Sequence, residues 1–228
     1  MVEFFNMYWE IWFNMNEDIS IINKNTRNEK IKNFFINNKK SLITLLIIII
    51  SAVFGYFANE EMQNRKKIEL SEKYNFLSNK FISNNQANIK KDLIEIIYEK
   101  DTTYSPLALY FIIDNNIKTT NEEINEYFDI LINDLRLDKE IKNLIIYKKA
   151  LFNSDFETEN NLIAILNPLI NSESVWKSHA LYLMAEYFFE KNQNQKAKEF
   201  FKQILSDKNS NENIIKEANK RLSRDLSE

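Results

Sequence analysis

Residue types that commonly do chemistry in enzymes are scarce in this chain of 228 residues. His179 is the only histidine, and cysteine is absent, which removes thiolate nucleophiles, thiolate metal sites and disulfides. A histidine that acts as a base or a metal ligand needs partner groups, and no second histidine or suitable carboxylate cluster accompanies His179. We therefore interpret His179 as a structural residue, and we predict no catalytic residues, no metal and no cofactor.

The single glycine, Gly55, excludes several nucleotide-binding and catalytic motifs. The P-loop, the dinucleotide-binding fingerprint and the nucleophile elbow each need several glycines for a tight turn or a close phosphate approach. The formal net charge of −3 also lacks the basic excess that is typical of nucleic-acid-binding surfaces. These observations favour a protein that is not an enzyme and does not bind nucleic acid.

One uncharged, apolar stretch, SLITLLIIIISAVFGYFAN, occupies residues 41–59. About 20 apolar residues at a helical rise of 1.5 Å per residue cross a hydrocarbon core of roughly 30 Å. We therefore predict a single transmembrane helix at 41–59. A cleaved signal peptide is the alternative, but the stretch is longer than a typical signal-peptide core and begins only at Ser41.

Basic residues flank this stretch unevenly. The twenty positions before it contain Lys24, Arg27, Lys30, Lys32, Lys39 and Lys40, and the twenty from Ala58 contain Arg65, Lys66, Lys67 and Lys73. The positive-inside rule then predicts a cytoplasmic leader at 1–40 and a domain at 60–228 in the periplasm, anchored in a bacterial inner membrane. Within the leader, the aromatic-rich residues 1–13 could form an interfacial helix. Alternatively, translation begins at Met15 and residues 1–14 are not part of the protein.

Beyond the apolar stretch, hydrophobic residues recur with the 3.6-residue period of amphipathic helices. The four clearest stripes are Leu70, Tyr74, Leu77 and Phe81; Ile89, Leu93, Ile96 and Ile97; Ile124, Tyr127, Phe128 and Leu131; and Ile141, Leu144, Ile145 and Leu151. Ser105 before Pro106 predicts a helix start. Thr120 and Glu123 have the spacing of a capping box, and Pro168 predicts a helix end. Because no segment alternates with period two, we predict an all-α fold.

The segment 178–209 resembles one tetratricopeptide repeat, a helix pair of about 34 residues. Ala185 and Ala197 take the small positions that let two helices approach, while Phe188 and Phe201 fill the space beside them. The other pattern positions hold Leu181, Met184, Ile204 and Leu205. Helix pairs of this kind cannot bury their apolar stripes alone, so we predict a TPR-like helical solenoid that follows the transmembrane helix.

From Met15 onward, the chain resembles the YfgM-like family, the membrane-anchored tetratricopeptide proteins described as ancillary subunits of the bacterial Sec translocon. The residues that carry the resemblance include Gly55, Tyr56, Arg65, Ser71, Tyr74, Leu166, Pro168, Leu169, Trp176 and Ala180. The resemblance implies protein partners, namely Sec translocon subunits, periplasmic chaperones or secreted clients. It also implies a role in secreted-protein passage or periplasmic chaperoning.

One face of the first helix of the repeat is a candidate partner-binding surface. It consists of His179, Tyr182, Glu186 and Phe189, which lie on the side that lines the concave groove in tetratricopeptide arrays. A mixed apolar and polar face suits peptide docking. The alternative is that these residues only pack against the next helix. For the protein as a whole, the alternative to a translocon-associated binding protein is a scaffold for cell-envelope assembly or division.

Overall fold

The computed structural model describes residues 26–82 and 89–226, and within these ranges it contains helices and no strands. The helices are α1 (26–37), α2 (Lys39–Ile82), α3 (Ile89–Tyr98), α4 (Tyr104–Asp114), α5 (Asn121–Asp134), α6 (Lys139–Asn153), α7 (Glu159–Ile170), α8 (Lys177–Glu190), α9 (Asn194–Ser206) and α10 (Glu212–Arg224). The all-α prediction is confirmed. The predicted interfacial segment 1–13 and the alternative start at Met15 lie outside the described residues.

The chain divides into two compact units, Met1–Lys66 and Lys67–Glu228. The described part of the first unit consists of α1 and the first part of α2. Within the described residues, α2 is the one helix that is long and apolar enough to cross a membrane, judged by length and composition. Its large apolar side chains from Ile43 to Phe57 are between 45% and 72% exposed.

The second unit contains two apolar clusters that meet at α6. The first cluster joins the end of α2 to α3, α4 and α5, and the second joins α6 to α7, α8, α9 and α10. Ile145 belongs to the first cluster, and the next residue, Ile146, belongs to the second. Because successive residues on a helix point about 100° apart, α6 can pack into both clusters at once.

Three of the four predicted stripes are confirmed. Leu70 and Leu77 at the end of α2 are buried, with Tyr74 and Phe81 packed beside them. The buried residues of α3 are Ile89, Leu93, Ile96 and Ile97, and those of α5 are Ile124, Tyr127, Phe128 and Leu131. In α3 and α5 the predicted stripe and the buried residues coincide, because packing follows the helical period.

The stripe predicted for α6 is wrong. Ile141 and Leu151 are 46% and 50% exposed, and Ile145 is the only buried residue of the predicted four. The rest of the buried face consists of Asn143, Ile146, Ala150 and Asn153. Asparagine is tolerated there because Asn153 and Asn125 of α5 exchange two amide hydrogen bonds of 2.8 and 2.9 Å. A buried amide that is fully paired avoids the cost of desolvation without a partner.

The predicted capping box at the start of α5 is confirmed. The backbone N–H of Glu123 donates to the Thr120 hydroxyl at 3.2 Å, and the backbone N–H of Thr120 donates to the Glu123 carboxylate at 3.0 Å. Two backbone donors that the helix itself cannot satisfy are thereby paired.

The predicted helix start at Ser105 is wrong, and the predicted end at Pro168 is two residues early. The first turn of α4 is capped by Asp101, whose carboxylate accepts from the backbone N–H of Tyr104 at 2.7 Å. Ser105 is buried inside the helix and donates to the carbonyl of Ile96 at 2.8 Å. Helix α7 continues to Ile170, and Pro168 lies in its last turn. A proline can occupy that position because only one helical hydrogen bond is lost.

The predicted helix pair at 178–209 is present as α8 and α9. Ala185, Ala197, Phe188 and Phe201 are all buried, with exposed fractions of 0 or 1%. The turn between the helices passes through Asn192, whose φ of 59° lies in the left-handed region. Asparagine adopts this conformation more readily than most residues, which explains how the pair closes without the glycine that usually follows such a helix.

We expect Ala197→Arg to destabilise the second unit by roughly 3 kcal/mol or more, because the side chain must overpack a close helix contact or bury an unpaired charge. Thermal and urea unfolding of the unaltered protein and of the Ala197→Arg variant measure this difference in the free energy of unfolding. The matched control is Gln203→Arg, which places the same residue on the exposed side of α9. Equal unfolding midpoints for the two variants would show that Ala197 does not lie at a close contact.

We expect residues 60–228, expressed without the leader and the apolar stretch, to form a soluble and predominantly helical domain. The stripes of α3 to α10 bury one another without lipid. Far-ultraviolet circular dichroism with a cooperative thermal transition checks this expectation. A spectrum of an unfolded or strand-rich chain would contradict it.

Candidate partner-binding site

Helix α8 carries the four candidate residues predicted from the sequence. It contacts α6, α7, α9 and α10, so it is an interior member of the second unit. Its seven buried residues face these neighbours. His179, Tyr182, Glu186 and Phe189 are each half-buried. The four side chains therefore combine packing contacts with some accessible surface.

His179 is part of a cluster of three aromatic rings. Its ring centroid lies 5.2 Å from that of Trp176 and 5.9 Å from that of Tyr147 on α6. Tyr147 and Trp176 stack at 5.7 Å, and the Trp176 indole N–H donates to the carbonyl of Glu140. Burial lowers the pKa of His179, although the backbone of Val175 opposes this shift. The imidazole is therefore favoured in its neutral form, as a packed ring in this cluster.

Tyr182 lies against the second helix of the pair. Its ring meets that of Phe201 on α9 edge to face, with a centroid separation of 5.6 Å. Burial, and secondly the nearby Glu186 carboxylate, raise the pKa of Tyr182. The phenol thus stays protonated at physiological pH, and in this form it can donate a hydrogen bond.

Glu186 and Phe189 both contact Arg221 on α10. The Arg221 guanidinium donates two hydrogen bonds to the Glu186 carboxylate, of 2.8 and 2.5 Å, and its carbon lies 5.0 Å from the centroid of the Phe189 ring. Arg221 also pairs with Asp225 at 3.0 Å. The hydrogen bonds of Arg221 to Asp225 and then to Glu186 raise its pKa, and the adjacent arginines, Arg224 first, lower the pKa of Asp225 to about 2.

The structure thus separates the four predicted residues into two groups. His179 contacts the aromatic rings of Tyr147 and Trp176, whereas Tyr182, Glu186 and Phe189 contact α9 and α10. These contacts are the packing that the alternative interpretation of this face expects. Partner binding by the same residues stays a prediction, since each keeps part of its surface accessible.

A groove between α5, α6 and α7 was not predicted from the sequence. It has a volume of about 480 Å³, and four of its ten lining residues are asparagines, namely Asn121, Asn125, Asn153 and Asn161. The amides of Asn125 and Asn153 are occupied with each other, and the Asn161 amide donates to Glu157 at 2.7 Å. The four-residue spacing of Asn121 and Asn125 was a possible signal, but asparagine is abundant throughout the chain.

A second groove of about 620 Å³ is lined by three lysines and Glu95 of α2 and α3, by Ile94 and Tyr98 of α3, and by Glu99 after α3. Lys73 pairs with Glu95 at 2.8 Å, and Lys90 pairs with Glu123 at 3.2 Å. Two of the three ammonium groups that line this groove are thus paired with carboxylates. Among residues 26–82 and 89–226, no group of three or more His, Cys, Asp or Glu side chains is arranged to hold a metal ion.

Comparison with known proteins identifies a repeat domain in the N-terminal half. A family model described as "Tetratricopeptide repeat-like domain" matches residues 32–125, from α1 to the first turn of α5. No curated protein and no solved structure matches the chain. The matched range does not include α8 and α9, whose likeness to a repeat rests on their own sequence and packing. The chain therefore contains a TPR-like domain, of a type that generally mediates protein–protein contacts and is typically not enzymatic.

Proposed function

We propose that this protein is a membrane-anchored, non-enzymatic binding protein whose TPR-like domain holds partner proteins at the Sec translocon and assists secreted-protein passage or periplasmic chaperoning. The observation that carries the proposal is the presence, among the described residues of one chain, of an exposed apolar helix and a helical repeat domain. The membrane helix anchors the domain in the membrane, and the domain provides a surface that binds other proteins. Tethering of this kind raises the effective concentration of the binding surface near its partners.

Membrane insertion is supported by the exposure of α2. An Ile or Leu side chain that is left in water rather than buried costs about 1.5–3 kcal/mol. The large apolar side chains from Ile43 to Phe57 are at least 45% exposed among the described residues, and Phe54 is 72% exposed. A lipid bilayer would cover all of them, and the α-helical backbone of α2 satisfies its own hydrogen bonds there.

The location at the Sec translocon rests on the resemblance to the YfgM-like family. The match to residues 32–125 spans the apolar helix and the helices that follow it, which is compatible with such a protein but coarser than that family. The proposed partners are translocon subunits, periplasmic chaperones or secreted clients. A scaffold for envelope assembly or division would use the same anchored domain, so the identity of copurified proteins separates the two functions.

We expect the N-terminus in the cytoplasm and the second unit in the periplasm, because the twenty positions before the apolar stretch contain six Lys and Arg residues and the twenty from Ala58 contain four. Protease added to intact spheroplasts should digest the C-terminal domain and spare an epitope at the N-terminus. A C-terminal domain that resists the protease until the membrane is broken would reverse this topology.

We expect Tyr182→Ala combined with Phe189→Ala to reduce the recovery of crosslinked partners from membranes roughly tenfold or more, because aromatic anchors dominate interface energies. Crosslinking of intact membranes followed by mass spectrometry measures this recovery and identifies the partners. The matched control is Phe76→Ala with Tyr98→Ala, two exposed aromatic residues on α2 and α3.

Circular dichroism must first show that both double variants keep their helical content. Unchanged recovery from a folded Tyr182 and Phe189 variant would contradict binding through α8. Recovery of division or envelope-assembly proteins in place of translocon subunits would contradict the proposed location.

A further inference from the structure

The last helix, α10, packs against α9 and α8 and buries few of its side chains completely. Of its 13 residues only Ala218 is fully buried, while α8 buries seven of 14. Ile214, Ile215 and Leu222 of α10 are half-buried against the second apolar cluster. Because apolar burial supplies most of the free energy of packing, α10 is held less firmly than the helices that precede it.

The polar contacts of α10 fall on one stripe of α8. Ser178 accepts from the backbone N–H of Asn211 at 3.3 Å, next to the first residue of α10. Near the other end of α10, Arg221 binds the carboxylate of Glu186 and covers the ring of Phe189. Ser178, Tyr182, Glu186 and Phe189 follow one another at three- and four-residue spacing and form what we name the acceptor face. Three of its four residues are those proposed above to bind a partner.

We propose that the acceptor face is a helix-binding site, that α10 occupies it as an internal ligand, and that its external ligand is an amphipathic helix of a partner protein carrying an arginine at the position of Arg221. The proposal rests on the proposed function, since it names the kind of partner that the same face binds. A partner helix and α10 then compete for one surface.

The geometry of the acceptor face selects arginine. The two carboxylate oxygens of Glu186 receive two separate N–H groups of the same guanidinium, and the planar group lies over the aromatic ring of Phe189. Lysine presents a single ammonium group and cannot make a paired, planar contact of this kind. A helix with lysine at this position would therefore bind less well than one with arginine.

The geometry also provides for release of α10. The Arg221 side chain is 27% exposed and that of Glu186 is 19% exposed, so solvent and a second guanidinium can reach the ion pair. Arg221 has a further partner within α10, the carboxylate of Asp225 one turn away. When α10 leaves the acceptor face, Arg221 keeps this local ion pair, which lowers the cost of breaking its contact with Glu186.

The test uses the full chain in detergent and a fluorescent synthetic peptide with the sequence of residues 211–226. In the unaltered chain, the internal α10 should exclude the peptide, because its effective concentration is in the millimolar range. Arg221→Met weakens the internal helix but leaves the acceptor face complete. We expect this variant to bind the peptide at a roughly ten- to hundredfold lower concentration than the unaltered chain does. Fluorescence anisotropy measures the binding.

Three matched controls define the contact. Arg224→Met removes an exposed arginine that pairs with Asp225, and it should leave peptide binding at the level of the unaltered chain. A peptide that itself carries Arg221→Met should not bind the Arg221→Met chain. Adding Glu186→Gln to that chain should likewise abolish binding of the unaltered peptide.

Hydrogen exchange of the unaltered chain gives a second measurement that depends on no variant. We expect the amides of α10 to exchange at least about tenfold faster than those of α9, because a helix that opens locally loses its protection first. Equal protection of the two helices, or no peptide binding to the Arg221→Met chain, would overturn the proposal. Recovery of translocon partners alongside either result would leave the proposed function standing. Peptide binding without any recovered partner would support the helix site and contradict the proposed function.

Discussion

The second unit depends on the packing of α6 into two apolar clusters at once. Ile145 faces the cluster built by α3, α4 and α5, and Ile146 faces the one built by α7, α8 and α9. Both clusters include buried side chains of this helix, since each amphipathic helix buries its stripe only against its neighbours. The two hydrogen bonds between the side-chain amides of Asn153 and Asn125 fix how α5 and α6 pack against each other, because both bonds form only when the two helices are in register.

How much the sequence predicts depends on whether a feature is local. The stripes of α3 and α5 and the capping box at Thr120 follow from residues within one or two helical turns, and these predictions are confirmed. The prediction of the buried face of α6 is wrong because Asn153 is buried against Asn125, a hydrogen-bond partner that lies 28 residues away in the sequence. The predicted start of α4 is wrong because the carboxylate of Asp101 caps the first turn. The prediction of Ser105 as the start rests on Pro106, which follows it.

The candidate site shows the same division. The spacing of Tyr182, Glu186 and Phe189 places them on one face of α8, and this is a local property. Their common partner, Arg221, lies 35 residues beyond Glu186 and is not marked by any motif. The structure therefore turns a face predicted to be an open groove into one that α10 covers in part. Packing and partner binding are compatible if the covering helix can be exchanged.

Contact of the acceptor face of α8 with another protein in the cell can be measured directly. A photo-crosslinking phenylalanine analogue is placed at position 182 and, for comparison, at the exposed position 76, and intact cells are irradiated. We expect an adduct of higher mass from position 182 that contains a translocon subunit or one of its clients, and no such adduct from position 76. Adducts from position 76 alone, with only the unshifted chain from position 182, would contradict binding through the acceptor face.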